Sequence, residues 1–204
     1  MDDRKGGCDH EGISPLGRLD LAVARSLAPY RDTTAVRVMD ALGKVADGKV
    51  VLPLCGLALP VALYGRNRRG VRAILHIAGS VAAAGALKNL LKWTIARSRP
   101  NLLLNRGTYA VAFGRPSHDW NAMPSGHAAA CGAVAGACAG LWPRHRAAAF
   151  TTAGALSLAR LPPAKHYLSD VVVGFGLGIL AATAIDSMFP PRGSVQRRAA
   201  RRQR

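Results

Sequence analysis

Five stretches without a single Asp, Glu, Lys or Arg follow one another over residues 50–65, 73–87, 128–143, 147–159 and 171–185. More than any other feature, they limit what this chain can fold into. Each holds 13 to 16 residues, short of the roughly 20 that a helix needs to cross a bilayer. Core helices of a soluble bundle would fit that length. Their composition argues against it, because a helix on a soluble surface keeps a polar face at a 3.6-residue period and these runs are apolar on all sides. Extending the four later runs through a few charges at one end gives 72–93, 123–143, 146–163 and 166–189. Small residues such as Ala82, Ala83, Gly132, Gly136 and Gly140 would let membrane helices approach closely. The reading is all-α: an integral membrane helical bundle of about five transmembrane helices.

Charge placement supplies the organisation. Lys and Arg total 28 against 11 Asp and Glu, a formal net charge of +17. The apolar half of the composition excludes a disordered polycation, and the cysteines Cys55, Cys131 and Cys138 lie in apolar runs, which argues against a disulfide framework. All but three of the acids fall before residue 48, leaving Asp119, Asp170 and Asp186 beyond it. This divides the chain into a polar N-terminal region (1–47), a membrane domain (48–190) and a basic tail (191–204). Arg66, Arg68, Arg69 and Arg72 fill one loop, Arg144 and Arg146 another, and the tail carries more. With five spans these lie on one side, which the positive-inside rule makes cytoplasmic. The N-terminal region, the 94–125 loop and the 160–166 connection then face the other side. Residues 15–30 and 33–45 mix Leu and Val with Arg and Asp, the pattern of amphipathic helices at the interface. A sixth span near 16–30 is the alternative. Met1 to Ile13 is polar and has no apolar core, so no secretory signal fits there.

Three polar clusters interrupt the apolar body, all on the outer side. The first runs from Lys92 through Arg97 to Arg99 and Pro100. On a helix Lys92 and Arg99 would share one face two turns apart, with Pro100 stopping the helix. A lone pair of this kind is most simply a set of snorkelling interfacial cations. The second is Pro124-Ser125-Gly126-His127 at the start of an apolar helix, where free N–H groups and a hydroxyl suit an anion; a plain helix cap reads equally well. The third runs from Arg160 to His166 and Asp170. The i, i+4 spacing lets the Asp170 carboxylate reach back to the His166 ring, fixing its tautomer and freeing the other nitrogen. A structural His–Asp pair is the bland alternative.

Together the clusters form a phosphate-handling set. Phosphoryl transfer needs charge neutralised over three oxygens, an in-line nucleophile and a proton for the leaving oxygen. Lys92, Arg99 and Arg160 can neutralise, Ser125 and the Gly126 amide can add hydrogen bonds, and the two histidines can attack and protonate. A magnesium or two-metal site would want a carboxylate cluster. The few acids after residue 47 offer none, so a site without metal or other cofactor is expected.

In order and spacing, Lys92-x6-Arg99-Pro100, Pro124-Ser125-Gly126-His127 and Arg160-x5-His166-x3-Asp170 resemble the three-part signature of the type 2 phosphatidic acid phosphatase superfamily. The motifs cover residues 92–170, and the flanking runs are similar to the membrane lipid phosphatase branch. The resemblance implies a helical bundle in which His166 forms a phosphohistidine, Asp170 orients it and His127 is the general acid. It also implies that Lys92, Arg99, Ser125, Gly126 and Arg160 hold the phosphate. One position departs from the pattern: the third motif commonly begins Ser-Arg, and here it begins Ala159-Arg160. A missing hydrogen bond of this kind is worth about 0.5–1.5 kcal/mol, enough to tune activity without abolishing it.

The expectation is therefore a membrane lipid phosphatase working at the periplasmic or extracellular face of a bacterial plasma membrane. Its substrate would be a lipid phosphate such as phosphatidic acid, phosphatidylglycerol phosphate, polyprenyl diphosphate or a phosphorylated glycolipid, with no nucleic acid as partner. A phosphotransferase using the same site is the alternative, and a non-catalytic protein binding anionic lipid is the third reading.

Overall fold

The computed structural model describes residues 13–114 and 118–189. The extreme N-terminus and the basic tail therefore lie outside the described residues. Two short helices come first, α1 (Pro15–Leu27) and α2 (Thr34–Gly43). Ser14 starts α1, its Oγ accepting the Gly17 N–H at 3.1 Å, and Pro15 occupies the first helical position, where no N–H is needed. Asp47 caps α3 (Gly48–Tyr64) and Asn67 caps α4 (Arg68–Thr94), the Asn67 side chain accepting the Gly70 N–H at 2.9 Å.

After α4 come strand β1 (Ile95–Arg97), helix α5 (Pro100–Arg106) and strand β2 (Val111–Phe113). The two strands pair antiparallel, Ala96 opposite Ala112. The fold is thus mostly helical, not all-α: a three-residue ribbon is inserted where an uninterrupted helix up to Pro100 was expected. Helices α6 (Gly126–Leu141), α7 (Arg146–Leu158) and α8 (Leu168–Met188) complete the bundle.

Helix α6 is its centre. Nearly every residue from His127 to Ala137 is buried, against α4, α7 and α8. Glycine makes the α6–α8 contact close: a Cβ on Gly132 would fall 2.2 Å from the Phe175 carbonyl oxygen, and one on Gly178 would fall 2.1 Å from the Ala129 carbonyl oxygen. The two backbones touch, which small-residue packing permits and any larger side chain forbids.

The five apolar runs all become helical, but not all become long helices. α4 with 27 residues and α8 with 21 are long and apolar enough to cross a membrane. α3, bent by 45° from the helical segment before it, makes a third if that pair counts as one span. The expected stretches 123–143 and 146–163 shorten to 16 and 13 residues. The Ser125 cap delays the start of α6, and the chain leaves helical geometry at Trp142 and again after Ala159. The outward faces are apolar, with Leu57 72%, Val61 73% and Leu180 63% exposed, a surface suited to hydrocarbon rather than water.

Candidate active site

The three polar clusters converge where α4 ends and α6 and α8 begin. Lys92 sits in the last turn of α4, and Ile95 is already extended (φ −120°, ψ 114°). Arg99 is the residue before α5, with Pro100 at that helix's first position. Lys92 and Arg99 therefore do not share one helix face, as their spacing predicts; the ribbon carries Arg99 round to the site instead. Residues 119–122 lie along β1, the Arg99 N–H donating to the Asp119 carbonyl at 3.0 Å and the Ala122 N–H to the Arg97 carbonyl at 3.1 Å. That strip supplies two acceptors. The Asn121 carbonyl takes the Lys92 ammonium at 3.3 Å, and the Ala122 carbonyl takes His166 Nδ1 at 2.8 Å.

Ser125 is fully buried and caps α6, its Oγ accepting the Ala128 N–H at 3.4 Å. Its own N–H donates to the Asp170 carbonyl at 3.0 Å, which ties the starts of α6 and α8 together. Gly174 permits this, since a Cβ there would lie 2.4 Å from the Ser125 carbonyl oxygen. Gly126 is covered by the Lys88 side chain, whose Cδ would stand 2.9 Å from a Cβ at that position. The starts of α6 and α8 thus meet at the three clusters, and a helix start carries partial positive charge.

A carbonyl accepts only from an N–H, so the Ala122 contact puts the proton on His166 Nδ1 and leaves the Nε2 lone pair free. Burial pushes the His166 pKa down to about 3, reinforced by the positive charges of Lys92, Arg99 and Arg160 against the pull of the Ala122 hydrogen bond. The ring is neutral at neutral pH. The three cations named from the sequence all act on this one imidazole. Arg99 Nε is buried without a hydrogen-bond partner among the described residues, a donor left over for an anion. His127 is buried in the first turn of α6, with Nε2 3.6 Å from Cys131 Sγ. Among the described residues, no three His, Cys, Asp or Glu side chains gather as a metal-ligand set.

Asp170 is placed differently from its expected role. Its Oδ2 accepts the Tyr167 N–H at 2.8 Å and its Oδ1 accepts Arg97 Nη1 at 2.7 Å. The i, i+4 geometry fails because His166 precedes α8, which begins at Leu168, so the carboxylate turns back to cap its own helix. The hydrogen bond on His166 Nδ1 comes from Ala122 instead.

Sequence reasoning sets Arg97 among interfacial or loop residues. The structure buries it, 4% exposed, at the centre of an ionic network. Nη1 also reaches Ser169 Oγ at 2.7 Å, and Nη2 donates to Asp20 Oδ2 at 2.7 Å and to Tyr109 Oη at 3.0 Å. The guanidinium carbon lies 4.3 Å from the Tyr167 ring centroid. Burial opposes the charge, yet Asp170 and Asp20 hold the Arg97 pKa above its usual value. Asp20 also accepts the Ser169 N–H at 2.9 Å, so α1 is fastened to the first turn of α8.

Asp40 on α2 is the second residue the sequence does not reveal. It accepts Arg160 Nη1 at 2.5 Å and the Lys165 ammonium at 2.8 and 2.7 Å. Burial alone would raise its pKa, but Lys165 and Arg160 hold it below the usual carboxylate value. At the end of the same helix, a Cβ on Gly43 would lie 3.9 Å from His127 Nε2. The N-terminal helices therefore close one side of the site.

A family model described as the PAP2 superfamily matches residues 73–194, well over half of the chain. The chain belongs to the PAP2 superfamily. Two lipid A 1-phosphatases, from Rhizobium johnstonii and Rhizobium etli, are 36% and 35% identical to it over 99 residues, 48% of this chain. The match covers 41% and 43% of those proteins, so the chain spans about two fifths of the length of the curated relatives it matches. Among solved structures, the PAP2-type phosphatidylglycerolphosphate phosphatase of Bacillus subtilis aligns over 83% of both chains, with a TM-score of 0.56 and 19% identity. LpxE of Aquifex aeolicus aligns over 81% of this chain and 93% of its own, with a TM-score of 0.54 and 22% identity. These two likenesses concern the fold.

Proposed function

We propose that the protein is a membrane lipid phosphatase acting through a phosphohistidine at His166. The observation that carries this reading is the state of that ring: neutral, protonated on Nδ1 toward Ala122, and surrounded by the charges of Lys92, Arg99 and Arg160. A phosphate ester held by these cations and by the Ser125–Gly126 helix start presents its phosphorus to Nε2. The lone pair forms the N–P bond as the P–O bond to the lipid breaks, and His127, which takes up a proton as the anionic phosphate binds, gives it to the leaving oxygen. Neutral His127 then takes a proton from water, whose oxygen attacks phosphorus. The N–P bond breaks, releasing phosphate and restoring the neutral imidazole. Asp170 serves this cycle indirectly, by holding Arg97 and the first turn of α8. No metal is required in these steps.

Among substrates we place phosphorylated glycolipids of the lipid A 1-phosphate type first, on the likeness to the two rhizobial proteins. The charge pattern along the chain supports a site on the periplasmic side. The test is phosphate release by detergent-purified protein from lipid A, phosphatidylglycerol phosphate, phosphatidic acid and a polyprenyl diphosphate, in EDTA. Release from lipid A ahead of the others is expected. Activity that EDTA abolishes contradicts the metal-free cycle, and transfer to an added alcohol without free phosphate would make the protein a phosphotransferase.

Two further results are expected. His127→Ala should slow turnover of alkyl phosphates far more than of nitrophenyl phosphate, whose leaving group needs no proton; equal losses would remove the general-acid role. Asp40→Asn should tighten inhibition by vanadate. It removes one negative charge from Arg160 and Lys165, worth ~1 kcal/mol or about five-fold in affinity. Unchanged or weaker inhibition would show that Asp40 holds Arg160 in place for the anion rather than competing with it.

A further inference from the structure

At the other end of the bundle lies a second feature, which phosphate chemistry does not use. A groove of about 990 Å³ opens between the end of α3, the start of α4 and the end of α8. Arg68 and Arg72, one turn apart on α4, stand at its mouth with Arg66 from the preceding loop, all exposed. One turn deeper the wall carries Leu75 and His76, and Ile185 of α8 and Phe189, which caps it, line the groove as well. His76 is buried and already paired with Asp186. No Asp or Glu lines the groove, and the three arginines have no ion-pair partner among the described residues. Arg68 and Lys92 are 24 residues apart on one helix, which at 1.5 Å per residue separates the groove from the candidate active site by roughly 36 Å. That is about the thickness of a bilayer.

We infer that this groove is a binding site for an anionic phospholipid of the leaflet opposite the active site, its phosphate on Arg66, Arg68 and Arg72 and an acyl chain laid along Leu75 and Phe189. Charge complementarity selects the occupant. Three guanidiniums without an ion-pair partner among the described residues, above an apolar trough, match an anionic headgroup joined to hydrocarbon, whereas a zwitterionic lipid brings its own cation to the same place. The volume suits one headgroup and the upper part of its chains. Held there, the lipid would clamp α3, α4 and α8 together.

The test is lipid retention by purified protein in neutral detergent, read by native mass spectrometry, with thermal unfolding in parallel. The probes are phosphatidylglycerol, phosphatidylcholine and inorganic phosphate alone. Wild type should retain phosphatidylglycerol preferentially and unfold at a higher temperature with it. Arg68→Gln together with Arg72→Gln should weaken retention by about twenty-five-fold, since each basic residue near an anionic headgroup contributes about a five-fold factor. Leu75→Trp, which fills the trough and leaves the charges, should weaken it as well. All three substituted residues are exposed, and circular dichroism verifies that the helices persist. A chain shortened to residue 189 should keep the binding. Equal retention of phosphatidylcholine, full retention by the double variant, loss on removing the tail alone, or equal stabilisation by inorganic phosphate would each overturn the proposal. None of these readouts depends on phosphatase activity, so the two readings fail separately.

Discussion

Replacing His166 by alanine is expected to reduce phosphate release by roughly 10⁴-fold or more, the scale seen when a covalent nucleophile is removed. The helices should remain intact. His166 lies between α7 and α8, and it hydrogen-bonds the Ala122 carbonyl, so its loss empties the site without unpacking α6. Vanadate binding by the variant separates the two effects: the cations around the ring remain, and the anion should still bind, though less tightly. Activity within ten-fold of wild type would remove His166 from the nucleophile's place. Loss of helicity would mean that the imidazole is structural.

The largest effect on stability is expected from Arg97→Ala. The guanidinium is 4% exposed, and its two carboxylate partners, Asp20 and Asp170, are 1% and 0% exposed. Removing it leaves two buried negative charges facing each other, a change that costs about 3–5 kcal/mol. Because the network joins α1, β1 and α8, a midpoint lowered by many degrees in detergent and a loss of activity should come together. Arg97→Ala combined with Asp20→Asn should recover part of the stability, since one of the stranded charges is then gone. A midpoint within about 2 °C of wild type would show that the network contributes little to the fold, as the better-solvated ion pairs do.

How far the sequence discloses this arrangement differs residue by residue. Lys92, Ser125, Gly126, His127, Arg160 and His166 are legible because each interrupts or borders a long apolar run, where a polar group needs a reason to be, and Arg99 through its place before Pro100 in the Lys92-x6-Arg99-Pro100 spacing. The helices of the bundle are legible for the same cause. Arg97 is not, since one more Arg in a basic cluster beside an apolar run reads as a snorkelling side chain. What gives it meaning is Asp20, 77 residues away on an amphipathic helix. Asp40 hides in the same way, 120 residues from Arg160. The acids of the N-terminal region look like solvated charge until the fold turns two of them inward.

The Asp170 misreading has a local origin. Helical spacing places a carboxylate near a residue four positions earlier only if both belong to the helix, and His166 stands outside α8. Likewise, seven residues link Lys92 to Arg99 on one face only if the helix persists, and it ends at Thr94. A three-residue ribbon is too short to show an alternating pattern, so nothing announces it in advance. Its consequence is nonetheless functional: the strip beside β1 carries the Ala122 carbonyl that sets the His166 tautomer.

The central claim is that the phosphoryl group passes through His166, and trapping it is the most direct test. Wild-type protein mixed with substrate labelled in its phosphate and quenched in alkali within milliseconds should carry a label stable to base and labile to acid, located by peptide mapping to His166. It should be absent from His166→Ala. Label on another side chain, or undiminished turnover in the variant with no label at His166, would contradict the account.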